Sequence, residues 1–462
     1  MKLVHAADLH IDSPLAGLGR YEGAPVHKIR GATRRALENL VALCIEEDAR
    51  LLLLAGDIYD GDWRDYGTGL FFAAQMSRLR EAGVRVALVH GNHDAASQIT
   101  RALRLPENVH TFEAARPATL VIDELALAVH GQSFATRAVT ADLAAAYPAP
   151  LRGALNIGLL HTAADGRPGH ETYAPTTPTI LARRGYDYWA LGHIHAREVL
   201  HADPWIVFPG NLQGRHARET GPKGATVIEV SAARVTRIEH RALDVVRWSH
   251  VPVDLRTADT AHDAVDLART ALARALAEAE GRTLCARVSL TGPTRAHTSL
   301  HLHPDRWLAE IRAAASDLGG DGIWIERVAF DTRPPHDPAS LAARDDALGA
   351  LVRALTAAPA DDAAVAALHE VLRDLSVRLP PELRDGPDAL RLDDDTTLRA
   401  LLAEASPPSS PARSTCGGRM IASIEPPPLS AAFLRGFATP SRVSHPQRLT
   451  PPLIPRPSKD VR

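Results

Sequence analysis

Short runs of apolar residues, each followed by polar side chains, recur through the first half of the chain. Residues 51–55 form a continuous apolar run, and residues 84–89, 157–160 and 188–191 are similar. Continuous runs of this length predict strands that are buried on both faces. Residues 1–7 predict a further short strand. The pattern therefore predicts an α/β fold with several buried strands in its first half.

Each of these predicted strands is followed by side chains that can bind a metal ion. In chain order, the candidates are Asp8, His10, Asp57, Asn92, His93, His161, His193 and His195. Open α/β sheets place their sites at the carboxyl ends of strands, so we expect these side chains to converge. Alternate residues of an extended segment point the same way, so Asp8 and His10 can bind one ion together.

Each motif has an ordinary structural interpretation when it is taken alone. A Gly-Asp pair is common, and a sequence such as Gly91-Asn92-His93-Asp94 could be a plain turn. The ordered set is more specific, because it supplies two carboxylates, one amide and four imidazoles that could hold a pair of divalent ions. His93 is then left to act on a substrate. The set points to phosphoester hydrolysis by a two-metal centre.

The donor types narrow the choice of metal. A mixed set of imidazole, carboxylate and amide donors suits Mn²⁺, Fe²⁺ or Zn²⁺ better than Ca²⁺ or Mg²⁺. No cluster of thiolates favours a structural zinc site. Two ions roughly 3.5–4 Å apart could share a hydroxide and stabilise the transition state. A histidine beside them could donate a proton near neutral pH.

A second pattern begins near residue 250. The predicted elements are a strand at 250–255, a helix near 261–280, a strand at 284–290, a turn at 291–293, a helix around 305–318 and a strand at 323–328. This β-α-β-α-β order predicts a small α/β domain at residues 250–333 that follows a first domain at residues 1–245.

The remainder of the chain predicts a helical region and then a tail. Within residues 339–405, two apolar stripes have helical spacing: Leu348, Leu351, Val352 and Leu355, then Val365, Leu368, Leu372 and Leu375. These stripes could pack on each other, which the residues alone favour, or on a partner. Residues 406–462 are rich in Pro, Ser and Arg, which predicts a disordered basic tail. A shifted reading frame would also produce such an ending.

Composition and charge exclude some classes of protein. With 462 residues the chain is long enough for more than one domain. Its formal net charge of −3 provides no global basic field for nucleic acid. Arg197, Arg215 and His216 form a local basic group near the last metal motif, and they could contact phosphates or simply be solvated.

Three cysteines are too few for a disulfide framework, so we expect a reducing, cytoplasmic location. Residues 1–7 lead directly into a strand, so we expect no signal peptide. No apolar stretch is long enough to span a bilayer, and we expect no membrane partner.

The order of these motifs resembles that of the calcineurin-like metallophosphoesterases over roughly the first half of the chain. Longer phrases resemble the DNA repair exonucleases of the SbcD/YhaO type. They are Ala-Ala-Asp-Leu-His-Ile-Asp-Ser-Pro at 6–14, Ala-Gly-Asp-Ile-Tyr-Asp-Gly-Asp-Trp at 55–63, Tyr-Asp-Tyr-Trp-Ala-Leu-Gly-His-Ile-His at 186–195 and Pro-Gly-Asn-Leu-Gln-Gly-Arg-His at 209–216. The resemblance implies a β-sandwich flanked by helices, with the small α/β domain as a cap.

The resemblance also implies a role for each candidate. Asp8, His10 and His195 would hold one metal, and Asn92, His161 and His193 would hold the other. Asp57 would bridge both ions, and His93 would contact the scissile phosphate and help the leaving oxygen depart. Mn²⁺ is the metal that the family implies. The implied partners are DNA, a coiled-coil ATPase of the SbcC or YhaN type and, in many members, a second copy of the chain.

One residue departs from the better-known branch of the family. The third residue after the bridging aspartate is often His in SbcD-type chains, and here it is Asp60, as in metallophosphoesterases generally. We expect Asp60 and Asp94 to hydrogen-bond to their neighbours rather than bind metal. Two other functions therefore stay open: a phosphoesterase for a small molecule or phosphoprotein, and a non-catalytic subunit that binds DNA ends or the ATPase.

Overall fold

A computed structural model describes residues 1–13, 25–60, 66–96, 103–166, 171–335, 338–378, 391–392 and 394–405. The predicted tail at 406–462 lies outside the described residues. The chain divides into two compact units, Met1–Ala354 and Leu355–Arg462. The predicted domain boundaries at 245, 250, 333 and 339 stay predictions.

The strands, in chain order, are β1 (Lys2–Ala6), β2 (Ala49–Ala55), β3 (Arg85–Val89), β4 (Val109–Thr111), β5 (Ala118–Ile122), β6 (Leu127–Gly131), β7 (Leu155–His161), β8 (Tyr188–Gly192), β9 (Glu198–Ala202), β10 (Trp205–Phe208), β11 (Gly224–Ser231), β12 (Arg234–Ala242), β13 (Val246–Asp254), β14 (Thr283–Pro293) and β15 (Ile323–Arg333). The helices are α1 (Val26–Arg30), α2 (Ala32–Glu46), α3 (Tyr66–Glu81), α4 (Asn92–Ala96), α5 (Pro178–Arg183), α6 (Ala261–Glu278), α7 (His297–Leu302), α8 (Pro304–Gly319), α9 (Pro338–Ala342), α10 (Ala347–Ala357), α11 (Asp362–Arg378) and α12 (Asp395–Ala405).

Two six-stranded sheets pack face to face in the first unit. Their strand orders are β12-β11-β1-β2-β3-β4 and β5-β6-β7-β8-β10-β9. Leu3 and Leu53 of the first sheet meet Ile157 and Tyr188 of the second in one buried core. Each such side chain contributes about 1.5–3 kcal/mol to stability by leaving water.

Helices cover the outer faces of both sheets. Leu37 and Leu40 of α2 and Met76 of α3 are buried in a cluster against the first sheet. Leu181 of α5 lies in a cluster with Trp189 of the second sheet. The apolar run of β2 is buried on both sides because it lies between the sandwich core and this helical layer. The prediction of a β-sandwich flanked by helices is confirmed.

A three-stranded parallel sheet of order β13-β14-β15 follows in the same unit. Helices α6 and α8 share a buried core with it, so the β-α-β-α-β prediction is confirmed. The turn expected at 291–293 is wrong, because Thr291, Gly292 and Pro293 continue β14 and pair with the end of β15. Long-range pairing overrides the local turn signal here, and Gly292 accommodates it with a φ of 94°.

The helical prediction for the region after residue 338 is also confirmed, since α9 to α12 lie there. Its apolar stripes are only partly covered: Val352 and Val365 are buried, whereas Leu351 and Leu375 are exposed. None of the described helices has both the length and the apolar character needed to cross a membrane. Cys44 and Cys285 are buried free thiols, and Cys416 lies outside the described residues.

Candidate metal centre

The carboxyl ends of β1, β2 and β3 in one sheet meet those of β7 and β8 in the other sheet, at one rim of the sandwich. The strand ends carry Asp8 after β1, Asp57 after β2, Asn92 after β3, His161 as the last residue of β7 and His193 just after β8. The chain segments are joined by backbone hydrogen bonds of 3.0 Å from Asp8 N to Gly56 O and from His10 N to Asp57 O. The predicted convergence is therefore observed.

The first group of converging side chains contains Asp8, His10 and His195. One potential ligand atom from each lies within 4.8 Å of the others. The Nε2 atoms of His10 and His195 are 3.2 Å apart. Both carboxylate oxygens of Asp8 accept a hydrogen bond from the backbone N of His193, at 3.0 and 3.1 Å. This bond connects the first group to the strand end that carries the second.

The second group contains Asp57, His161 and His193, whose ligand atoms also lie within 4.8 Å of one another. Asn92 joins it, because its Oδ1 lies 3.0 Å from His161 Nε2. Asp57 Oδ2 is 3.5 Å from His161 Nε2 and 3.9 Å from His10 Nε2. Asp57 therefore lies between the two groups.

The hydrogen bonds behind the imidazoles decide which ring nitrogen faces the centre. His161 Nδ1 lies 2.8 Å from the carbonyl oxygen of Ala55, and His193 Nε2 lies 2.9 Å from that of Glu171. A carbonyl only accepts, so both of these nitrogens carry the proton. His161 Nε2 then presents a lone pair to Asn92 Oδ1, and two acceptors at 3.0 Å can share a cation but not a hydrogen bond. The residues fit a divalent metal.

Electrostatics at the rim also favour a cation. Burial and the neighbouring Asp57 charge raise the pKa of Asp8 well above its ordinary range. Burial likewise raises the pKa of Asp57. Burial lowers the pKa of His161 to about 4 and, with the charge of Arg215, holds the pKa of His10 well below its ordinary value. Buried carboxylates beside neutral imidazoles form a cavity that bound cations would stabilise.

Four of the candidate ligands have left-handed backbone conformations. The φ angles are 52° at Asp8, 43° at His10, 51° at Asp57 and 101° at His193. Such conformations cost a non-glycine residue on the order of 1–3 kcal/mol each and cluster at functional sites. Gly56 has a φ of 90°, and a Cβ there would lie 2.5 Å from His161 Nδ1. Close approach of the loops therefore requires glycine at this position.

His93 lies beside the ligands and is paired with Asp60. Its Nδ1 is 2.9 Å from Asp60 Oδ1, and its side chain is 28% exposed. This hydrogen bond raises the pKa of His93. Burial alone would raise the pKa of Asp60, but the neighbouring His10 imidazole and the hydrogen bond from His93 outweigh it and hold that pKa far below its usual range. Each member of the pair thus stabilises the charged form of the other.

The other predicted residues are placed differently. The Asp94 carboxylate accepts hydrogen bonds of 3.0–3.2 Å from the backbone N atoms of Ile58, Tyr59 and Gly91, so it supports the loops rather than facing the centre. Arg215 lies at the site, 3.5 Å from Asp60 Oδ2. His216 is largely exposed. Within the part of the chain that the structure describes, Arg197 is exposed and forms no hydrogen bond to a candidate ligand.

Two residues at the site lie outside every motif identified in the sequence. The buried carboxylate of Glu219 lies 2.8 Å from His195 Nδ1. Lys223 donates from Nζ to the carbonyl oxygen of His195 at 2.7 Å. Neither residue follows an apolar run, so the pattern that finds the ligands cannot find these supports.

Comparison with known proteins agrees with this geometry. The calcineurin-like phosphoesterase family matches residues 1–197, and the middle domain of the metallophosphoesterase YhaO matches residues 248–333. The uncharacterized metallophosphoesterase YhaO of Bacillus subtilis is 33% identical over 296 residues, which cover 63% of this chain and 72% of that protein. The DNA double-strand break repair protein Mre11 of Methanopyrus kandleri is 26% identical over 255 residues, 51% of each chain.

A sandwich with a rim of aspartate, asparagine and histidine side chains defines a metallophosphoesterase, and the chain belongs to the calcineurin-like metallophosphoesterase family. Within that family it is of the YhaO type, because both the catalytic region and the middle domain match YhaO. Phosphoester hydrolysis with divalent metals follows from membership of the family.

Proposed function

We propose that this chain is a metal-dependent nuclease that hydrolyses phosphodiester bonds of DNA during repair. The proposed metal ligands are the seven converging side chains, Asp8, His10, Asp57, Asn92, His161, His193 and His195. Two bound divalent ions would supply a nucleophile at neutral pH and stabilise the charge of the phosphoryl group in transfer. Mn²⁺ is the metal we propose, with Fe²⁺ and Zn²⁺ as alternatives.

The observation that carries the proposal is that Asp57 lies between the two groups of imidazoles, within 3.5 Å of one and 3.9 Å of the other. Both distances are measured from Oδ2, and a carboxylate oxygen has lone pairs that would let it face both groups. Asp57 is therefore the proposed bridge. Because Asp57 Oδ1 also accepts a 3.0 Å hydrogen bond from His93 N, the bridge and the proton donor are held together.

His93 acts on the leaving group in this proposal. Its Nδ1–H donates to Asp60, so Nε2 is the nitrogen that can hand a proton to the departing oxygen. The partly exposed side chain can be reached by a substrate. Proton transfer by a placed histidine contributes on the order of 10²–10⁴ in rate. Arg215, beside Asp60, is the proposed contact for a substrate phosphate.

Two observations support the proposal that DNA is the substrate. The similar protein from Methanopyrus kandleri is named as a DNA double-strand break repair protein. The site also has an imidazole outside the proposed ligand set, His93, and a proton from it would suit an alkoxide leaving group such as a sugar oxygen. From the resemblance we also propose a coiled-coil ATPase as a partner and a homodimer as the assembly. The buried free thiols support the cytoplasmic location.

A phosphoesterase for a small substrate is the second candidate. The net charge of −3 favours it, because a duplex-binding protein usually presents a strong basic field. Asp60 favours it as well, since this residue is shared with metallophosphoesterases generally. The same metal centre would serve both substrates.

The test is Mn²⁺-dependent cleavage of end-labelled linear duplex DNA, run beside a small aryl phosphodiester. We expect the unmodified protein to degrade the DNA, and Asp57→Asn and His93→Ala to lose the activity. If only the small ester is cut, the metal centre stands and the DNA assignment fails. DNA binding without metal-dependent hydrolysis would instead indicate a non-catalytic subunit.

A further inference from the structure

The Glu219 carboxylate lies directly behind the first ligand group and is saturated with hydrogen bonds. Its Oε1 accepts from His195 Nδ1 at 2.8 Å and from Arg215 Nη2 at 3.1 Å. Its Oε2 accepts from Asn211 Nδ2 at 2.9 Å and from the backbone N of Arg215 at 2.7 Å. An ionised carboxylate offers about four lone-pair positions, so every acceptor position of Glu219 is used.

This arrangement decides the tautomer of His195. A carboxylate cannot donate, so His195 Nδ1 carries the proton and Nε2 keeps its lone pair. That lone pair faces His10 Nε2 at 3.2 Å, inside the first ligand group. Arg215 Nη2 also lies 3.3 Å from His195 Nδ1, but both atoms are then donors, and the guanidinium bonds to Glu219 instead.

The same carboxylate fixes Arg215, whose side chain is only 14% exposed. With its Nη2 and Nε held by Glu219 at 3.1 and 3.5 Å, the guanidinium directs Nη1 toward Asp60 Oδ2 at 3.5 Å. Asp60 in turn holds His93. Glu219 therefore connects a metal-ligand imidazole with the residues that surround the proposed proton donor.

We infer that Glu219 is the positioning residue of this centre: it fixes the tautomer and orientation of His195 for the metal and directs Arg215 to the Asp60–His93 pair. The inference deepens the proposed function and rests on its assignment of His195 as a metal ligand. A carboxylate that orients a metal-binding histidine typically changes metal affinity or activity by about 10–100-fold when it is removed.

Asp244 provides a matched control, because it is also a buried carboxylate paired with arginine. Its oxygens lie 2.6 Å from Arg247 Nε and 3.1 Å from Arg282 Nε. In contrast to Glu219, its side chain hydrogen-bonds to no candidate ligand among the residues the structure describes. Asp244→Asn therefore reproduces the loss of a buried charge without disturbing His195.

The experiment is a Mn²⁺ titration of metal-free full-length protein, with the free ion followed by electron paramagnetic resonance. We expect the unmodified protein and Asp244→Asn to bind two ions alike, although Asp244→Asn unfolds at lower denaturant concentration. In Glu219→Gln the NH2 group of the new amide faces hydrogen-bond donors and cannot accept from them. One of the two ions should therefore bind about 10–100-fold more weakly. If Glu219→Gln does not fold, Glu219→Asp is titrated instead. Its carboxylate is one methylene shorter and so lies farther from His195, and the same weakening of Mn²⁺ binding is expected.

A double-mutant cycle with His195→Ala separates positioning from general support. If Glu219 acts through His195, the Glu219 substitution has no further effect on Mn²⁺ affinity once His195 is absent. Additive losses, or unchanged binding in both Glu219 variants, would overturn the inference. No substrate is used, so bound Mn²⁺ without DNA cleavage would defeat only the proposed function. An unmodified protein that binds no Mn²⁺ would overturn both.

Discussion

The pairing of Asp60 with His93 predicts how activity depends on pH. Asp60→Asn preserves the size of the side chain and leaves one oxygen to accept the bond from His93 Nδ1. The bond then loses its charge assistance, and charge-assisted bonds are roughly twice as strong as neutral ones. The side chains of His93 and Asp60 are only 28% and 18% exposed, so solvent weakens their interaction little. We therefore expect the substitution to cost about 1 kcal/mol of transition-state stabilisation, which is roughly a fivefold loss in rate.

The direction of the pH effect follows from the raised pKa of His93. A raised pKa keeps the imidazole protonated to higher pH, so the protonated form is lost as pH rises through that value. Asp60→Asn weakens the main cause of the shift, the hydrogen bond to Asp60, so the alkaline limb of the kcat/KM profile should move to lower pH. Activity at the acidic end should change least.

The assay compares two phosphodiesters, one with a nitrophenolate leaving group and one with an alkoxide. A nitrophenolate departs without a proton, so only the alkoxide substrate should respond fully to Asp60→Asn. Asp12→Asn is the control, because Asp12 is likewise paired with an arginine, Arg34, at 2.5 Å. Equal losses on both substrates, with an unmoved alkaline limb, would show that Asp60 does not act through the His93 proton.

Three further predictions concern the stability of the rim and of the sheet behind it. Gly192→Ala should lower the free energy of unfolding, measured in urea, by about 1–3 kcal/mol and should also weaken Mn²⁺ binding. The reason is that the added methyl group would clash with the carbonyl oxygen of Ala55, which accepts the hydrogen bond from His161. Gly322→Ala is the control, because a methyl group there meets no other atom. Leu52→Ala should cost about 2–5 kcal/mol in the same assay, since Leu52 is fully buried, and a smaller loss would contradict the packing described. Chelation of the ions should lower the free energy of unfolding by about 2.7 kcal/mol for each ion that had been supplied at 100 times its Kd, and an unchanged urea midpoint would argue against tight binding.

The sequence predicts most of the candidate site because its signals are local. Each ligand lies at or just after the end of a predicted strand, and the predicted strands at β1, β2, β3, β7 and β8 are all strands in the structure. The division of these strands between two sheets is not local. It depends on pairing between distant segments, such as β1 with β11 and β10 with β8, which no periodicity reports.

Glu219 and Lys223, which hydrogen-bond to His195, could not be predicted from the sequence for the same reason. Glu219 is 24 residues from His195, in a loop without an apolar pattern, so only the fold brings the two together. The wrong prediction of a turn at Gly292 has the opposite cause. There the local signal is clear, but pairing of β14 with β15 carries the strand through it.

The antiparallel pairing of β11 with β1 determines how far the chain can be truncated without exposing a sheet edge. Every proposed ligand lies at or before His195, and the family match ends at residue 197. A fragment cut there would keep all the ligands, yet it would lose the antiparallel neighbour of β1. It would leave β1 as an open strand edge whose backbone groups could pair with other chains, which invites aggregation. A truncated form therefore has to extend at least through Ala242, the last residue of the edge strand β12.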